Sequence, residues 1–141
     1  MSACATPQQI EAEIAASEEK VPAGFTRLTG DALVEFVSDS TISGLSERSP
    51  GWSYDVYRAP DGTQRGISKK GSDTSKDSGN WTMNGDTYCS RWKNWADGKE
   101  NCFRLYSSEA TKEYYSVSTK GKFWSSSEFE ASRLKGNSKN L

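Results

Sequence analysis

Cys89 and Cys102 flank a polar turn at residues 93–101, and both fall in stretches with strand character. Such a pair admits three chemistries. A redox pair usually sits as Cys-x-x-Cys at a helix start, and this pair does not. Zinc would want two more soft ligands. The sequence contains no histidine, so no imidazole can help hold zinc, and no Ser-His-Asp or Cys-His set can be assembled. A structural disulfide requires only that the two strands face each other, and that is the reading adopted. Residues 69–78 hold Ser, Lys, Asp and Thr but no apolar side chain. Asp73 and Asp77 are too few and too irregular for a calcium cage. A nucleophilic serine there would need a buried lysine, which a wet loop does not supply. Nothing places two carboxylates in one cleft for glycoside chemistry. No catalytic residue, metal or cofactor is predicted, and the chain reads as non-enzymatic.

The candidates for ligand binding are aromatic and basic. Tyr88, Trp92 and Trp95 could form a platform for sugar or peptide, rimmed by Arg91, Lys93 and Lys99. Arg104 falls near Arg91 on the same strand face. The competing reading puts Trp92 in the core and makes Trp95 a lid on one end of a barrel.

The elements that position these residues centre on 79–106, read as three consecutive antiparallel strands. Asn84-Gly85 supplies the first turn. Alternation puts Tyr88, Ser90 and Trp92 on one face, and Thr87, Cys89 and Arg91 on the other. On the next strand Cys102, Arg104 and Tyr106 oppose Phe103 and Leu105. The two registers agree, cysteine facing cysteine. Closing that loop is worth roughly 3 kcal/mol in the chain-entropy model.

Before the ribbon, residues 52–58 alternate as a strand, Ala59-Pro60-Asp61-Gly62 turns, and 63–68 returns. Residues 69–78 are expected to be a solvated loop. After the ribbon come strands at 113–118 and 123–129. At the amino end Thr6, Pro7 and Gln9 mark the start of a helix over 6–16, and a second helix runs 31–37 with Leu33, Phe36 and Val37 inward. Residues 41–42 are expected to be the first strand, and 44–51 should loop. The organisation expected is a tether with a short helix at 1–24, one β-rich domain at 25–130, and a polar, frayed tail at 131–141. The fold class is α+β: one or two amino-terminal helices with a curved antiparallel sheet or small barrel of about six to eight strands and one disulfide.

Composition agrees. The 141 residues include five Trp, six Tyr and five Phe, which favour pleated surfaces. Eighteen basic and nineteen acidic residues give a net charge of -1 with both signs interspersed. That argues against nucleic acid, which wants a concentrated basic face. No apolar run approaches the roughly 20 residues needed to cross a bilayer.

Ser2, Ala3 and Cys4 resemble the end of a bacterial lipoprotein signal peptide, with Met1 where leucine is usual. The resemblance implies lipidation of Cys4, attachment to a membrane through that lipid alone, and a periplasmic address, as in an outer-membrane lipoprotein. If Cys4 is lipidated, no thiol is left over. Gly79, Trp81, Gly85, Cys89, Trp92 and Cys102 follow a Gly-x-Trp, Gly-Asp-x-x-Cys-x-x-Trp and later Cys pattern. This resembles a group of small exported alphaproteobacterial proteins that share a domain of unknown function, over roughly residues 25–123. It implies a compact β-rich periplasmic domain and no particular activity. The expected role is a binding or interaction module for a periplasmic protein or small ligand. Two variants are a lipocalin-like carrier of an apolar ligand, and a protein resembling the lysozyme-inhibitor lipoproteins, which plug an enzyme cleft with a polar loop.

Overall fold

The computed structural model describes residues 6–45, 50–111, 114–119 and 133–141. Two helices and nine strands occur among them: α1 Pro7–Glu18, β1 Thr26–Arg27, α2 Gly30–Val37, β2 Ser40–Leu45, β3 Ser53–Arg58, β4 Thr63–Lys70, β5 Asp73–Asn84, β6 Thr87–Trp92, β7 Asn101–Ser107, β8 Tyr114–Ser118 and β9 Arg133–Lys135. The strands form one antiparallel sheet in the order β1-β7-β6-β5-β4-β3-β2-β9, with β8 also pairing β7. The sheet curls into a half-barrel. The expected class holds, and two short edge pieces, β1 and β9, carry the strand count to nine.

The central ribbon sets the faces. Cys89 pairs with Cys102 in register, and Tyr88 with Phe103. The two sulfurs are bonded, with Cα atoms 4.0 Å apart. Trp81, Tyr88, Leu105 and Ile42 therefore lie on one inner face, where Leu33 and Val37 of α2 pack against them. Leu33 and Val37 are fully buried because they sit four apart on one stripe of the helix. Thr29 precedes α2 without a side-chain cap. Asp86, from the β5–β6 turn, supplies the missing acceptor and takes the Gly30 N–H at 3.0 Å.

Three expectations are corrected. Residues 69–78 are not a loop but the outer half of a hairpin, with Lys69 paired to Thr74 and Lys70 to Asp73. Backbone ladders need no apolar side chains, and here both faces of the hairpin tip meet water. The helical part of 1–24 is not a free tether. Ile14 and Ser17 are buried, and Glu18 accepts from Arg104 and from the Tyr106 hydroxyl, each at 2.6 Å. Helix α1 thus seats on the outer face, opposite α2. Residues 133–141 of the expected frayed tail are ordered. Arg133–Lys135 pairs with β2, and the Thr41 hydroxyl donates to the Gly136 carbonyl at 2.7 Å. Cys4 and the strand expected over 123–129 lie outside the described residues.

The disulfide joins the neighbouring strands β6 and β7. Replacing both Cys89 and Cys102 by Ser should lower stability by roughly 3 kcal/mol. For a chain of this size that is a fall in Tm of roughly 10 °C, read by circular dichroism. Reductant should produce the same fall in the parent and none in the variant. Burial, reinforced by the bond to Glu18, pushes the Tyr106 hydroxyl up to about 12. The folded state therefore prefers the neutral phenol, and that preference stabilises it fully below pH 10.0 and is lost as pH rises towards about 12. An absorbance titration should find a tyrosine ionising near 12 that is absent in Tyr106→Phe.

Candidate functional site

The five sequence-predicted ligand residues divide among three places. Tyr88 is buried in the core beneath the Arg58 guanidinium, whose carbon lies 4.9 Å from the ring centre. Arg104 sits on the outer side of β7 and is held by Glu18. Trp92 and Trp95 do come together, with ring centres 4.7 Å apart. Arg91 is adjacent but points to the other face and donates to the Gly98 carbonyl at 3.1 Å.

The two tryptophans lie on the inner face, both half-buried and outside the central cluster. A Cβ on Gly66 would come within 2.5 Å of the Trp95 ring and 2.9 Å of the Trp92 ring. The bare backbone of β4 is the seat on which both indoles rest. Asp77 holds the Trp95 loop: its carboxylate accepts from the backbone N–H of Asn94 at 2.9 Å and of Trp95 at 2.8 Å. The Trp95 indole N–H donates to the Ser75 hydroxyl at 3.0 Å. The loop needs this anchor, because Ala96 and Asp97 both take left-handed backbone angles with φ of 56°. Burial alone would raise the Asp77 pKa. The N–H groups of Trp95, Asn94 and Ser78 and the Asn94 amide outweigh it and hold the carboxyl below its ordinary value.

The outer face of β4, β5 and β6 carries a feature that reading strands singly missed. Register puts Thr63, Arg65, Ile67 and Lys69 outward on β4, with Thr74, Lys76, Ser78, Asn80 and Thr82 beside them on β5. Thr87, Cys89 and Arg91 continue the same face on β6, and Lys93 follows. This surface holds Arg65, Lys69, Lys76, Arg91 and Lys93, all exposed, and no outward carboxylate on the three strands. None of the five makes an ion pair among the described residues. In sequence these cations are diluted by acids such as Asp73 and Asp77, which the pleat turns to the other side.

An open groove of about 600 Å³ runs across this face, lined by Arg65, Arg91, Lys93, Ser78, Asn80 and Thr63 among others. Its shape comes from Gly79. A Cβ there would lie 2.0 Å from the Arg91 carbonyl, so β6 folds closely over β5 at this point. Arg65 is held by a bond to the Leu141 backbone oxygen at 3.0 Å. Arg91 is held likewise by the Gly98 carbonyl. Asp61 borders the groove, but Thr63 occupies its carboxylate with its hydroxyl at 2.6 Å and its N–H at 2.9 Å. The Thr63 hydroxyl bond, then its backbone N–H, lowers the Asp61 pKa.

Cys89, Cys102 and Glu100 place one ligand atom each within 4.8 Å of one another. Both sulfurs are spent in the disulfide, so this trio is not a metal site as it stands. No protein-family model matches the chain, and no curated protein or solved structure does.

Gly66→Ala should unseat the indoles at a cost of about 1–3 kcal/mol, with a red shift of tryptophan emission. A carboxyl with a lowered pKa stabilises the folded state above its unfolded value of 3.8 and ceases to as pH falls through its folded value. Trp95 emission should therefore hold constant down to pH 3.8 and shift only below it. Asp77→Ala should show the shifted emission already at neutral pH.

Proposed function

We propose that the protein is a non-enzymatic, exported binding module, and that its ligand lies in the basic groove across β4, β5 and β6. The single observation that carries the reading is the segregation of charge. A chain of net charge -1 presents five cations on one three-stranded face, without a carboxylate among the outward positions. Such a face attracts anionic partners and speeds their encounter.

The exported address rests on the disulfide, since such bonds persist in oxidising compartments, and on the lipoprotein-like start at Ser2, Ala3 and Cys4. Lipidation of Cys4 would hold the domain at a membrane surface. The resemblance to small exported proteins of unknown function accords with this address. The apolar-carrier variant is disfavoured because Leu33 and Val37 of α2 pack into the inner face where a lipocalin-like ligand would lie. The lysozyme-inhibitor variant loses its intended plug, because residues 69–78 are strand and not a protruding loop. A catalytic role finds no support in the groove, whose charged groups are exposed and dispersed.

The test uses the full chain, immobilised and challenged with a cell-envelope extract. It should retain an anionic component that elutes with moderate salt. The variant carrying Arg65→Glu, Arg91→Glu and Lys93→Glu should retain none, with unchanged circular dichroism. Equal retention by that variant, or retention insensitive to salt, overturns the proposal.

A further inference from the structure

Resting on the groove as the binding surface, we infer that its ligand is an extended acidic glycan bearing carboxylates. Three features of the groove select this class.

The first is the alternation of charged and neutral donors. Arg65, Ser78 and Lys93 form one row across the three strands, and Thr63, Asn80 and Arg91 form the next. Strand geometry separates the rows by about 7 Å and the ends of a row by about 10 Å. Cations so spaced, with a hydroxyl or amide between them, suit a polymer that alternates carboxylates with free hydroxyls. The guanidinium forks of Arg65 and Arg91 match carboxylates two oxygens at a time. Ser78, Thr63 and Asn80 offer both donors and acceptors to hydroxyls. A DNA backbone carries charge at the same frequency but has no free hydroxyls between its phosphates, so Ser78, Thr63 and Asn80 would find no partners on it.

The second is what the outward face lacks. No outward position on β4, β5 or β6 is aromatic, and Trp92, which borders the groove, turns its ring inward onto Gly66, so bases have nothing to stack on. Ile67 is the one large aliphatic residue there, so an acidic peptide would find no pocket for apolar side chains. The third is shape. The groove is open to solvent and lined by residues of all three strands, which suits a chain laid across them and not a small ion held in a cage.

The closing experiment measures binding to the disulfide-intact full chain by calorimetry and by amide chemical shifts. The probes are an oligogalacturonate, the uncharged oligogalactose, polyglutamate and single-stranded DNA. Oligogalacturonate should bind and shift the amides of Arg65, Ser78, Asn80 and Arg91. The uncharged sugar should bind at least about tenfold more weakly, the loss expected when charge-assisted bonds go. Arg65→Ala with Arg91→Ala should weaken uronate binding by about tenfold or more. Asn80→Ala should weaken it about threefold while leaving the salt dependence unchanged, as a neutral hydrogen bond requires. Lys93→Gln provides a milder variant should the double substitution perturb folding, and should also weaken binding. Failure of oligogalacturonate to shift groove amides overturns the inference. Binding of polyglutamate or DNA in the groove as tightly as the uronate overturns the glycan assignment but leaves the groove as the binding surface. If the charge-reversed triple variant binds the uronate as tightly as the parent, both readings fall.

Discussion

The structure depends on one register. Cys89 stands opposite Cys102, and every residue of β5, β6 and β7 takes its face from that alignment. The period of a strand is two, so a slip by one residue would exchange the faces completely. Trp81, Tyr88 and Leu105 would meet water, and Arg91, Arg104 and Asn80 would turn into the core. The disulfide forbids that slip covalently. It therefore does more than shorten the unfolded chain: it fixes which side of the curled sheet is apolar and which is charged.

Each face then acquires its cover according to its chemistry. The inner face takes α2, whose Leu33 and Val37 complete the cluster around Tyr114, Trp81 and Leu105. On the outer face, α1 covers the β7–β8 part, where Glu18 satisfies both Arg104 and Tyr106. The segment after β9 covers part of β2, with the Thr41 hydroxyl bonded to Gly136 and Ser138. Between these covers lies the outer side of β4, β5 and β6. Among the described residues, Arg65 donates to Leu141 and Arg91 to Gly98. No segment among the described residues covers this strip, and it is the strip on which positive charge collects.

The sequence was most legible where local chemistry and tertiary structure agree. Asn84-Gly85 announced its hairpin, the Thr6 and Gln9 capping box announced α1, and alternation around the cysteines gave the faces of the ribbon. Legibility failed where a strand lacks an apolar stripe. Residues 69–78 read as loop because a hairpin tip wet on both sides needs only its ladder. Seating of α1 was also hidden. It depends on Glu18, which lies outside the expected helix at 6–16, and on the distant Arg104. The basic face could not be found by scanning charge along the chain. Arg65 and Lys93 are neighbours through Ser78 of the strand between them, a proximity that exists only once register is known. The Trp92 and Trp95 pairing was anticipated, but the seat that receives it is Gly66, an absence of side chain that no pattern of residues advertises.

Two glycines explain why the tryptophan pair and the outer groove occur at the same end of the sheet. Gly66 and Gly79 lie on neighbouring strands, two residues apart in register, and both face inward. At Gly66 the missing side chain admits two indole rings; at Gly79 it admits the backbone of β6 itself. The second contact folds β6 over β5 and lets the Gln64 amide, one strand further away, reach the Ser90 hydroxyl at 2.7 Å. A sheet tightened in this way on its inner side must splay its side chains on the outer one. Arg65, Arg91 and Lys93 line the groove on that side. The curl that packs the tryptophans and the curl that opens the basic cleft are therefore one deformation. A side chain at Gly79 would relax both together by pushing β6 away from β5.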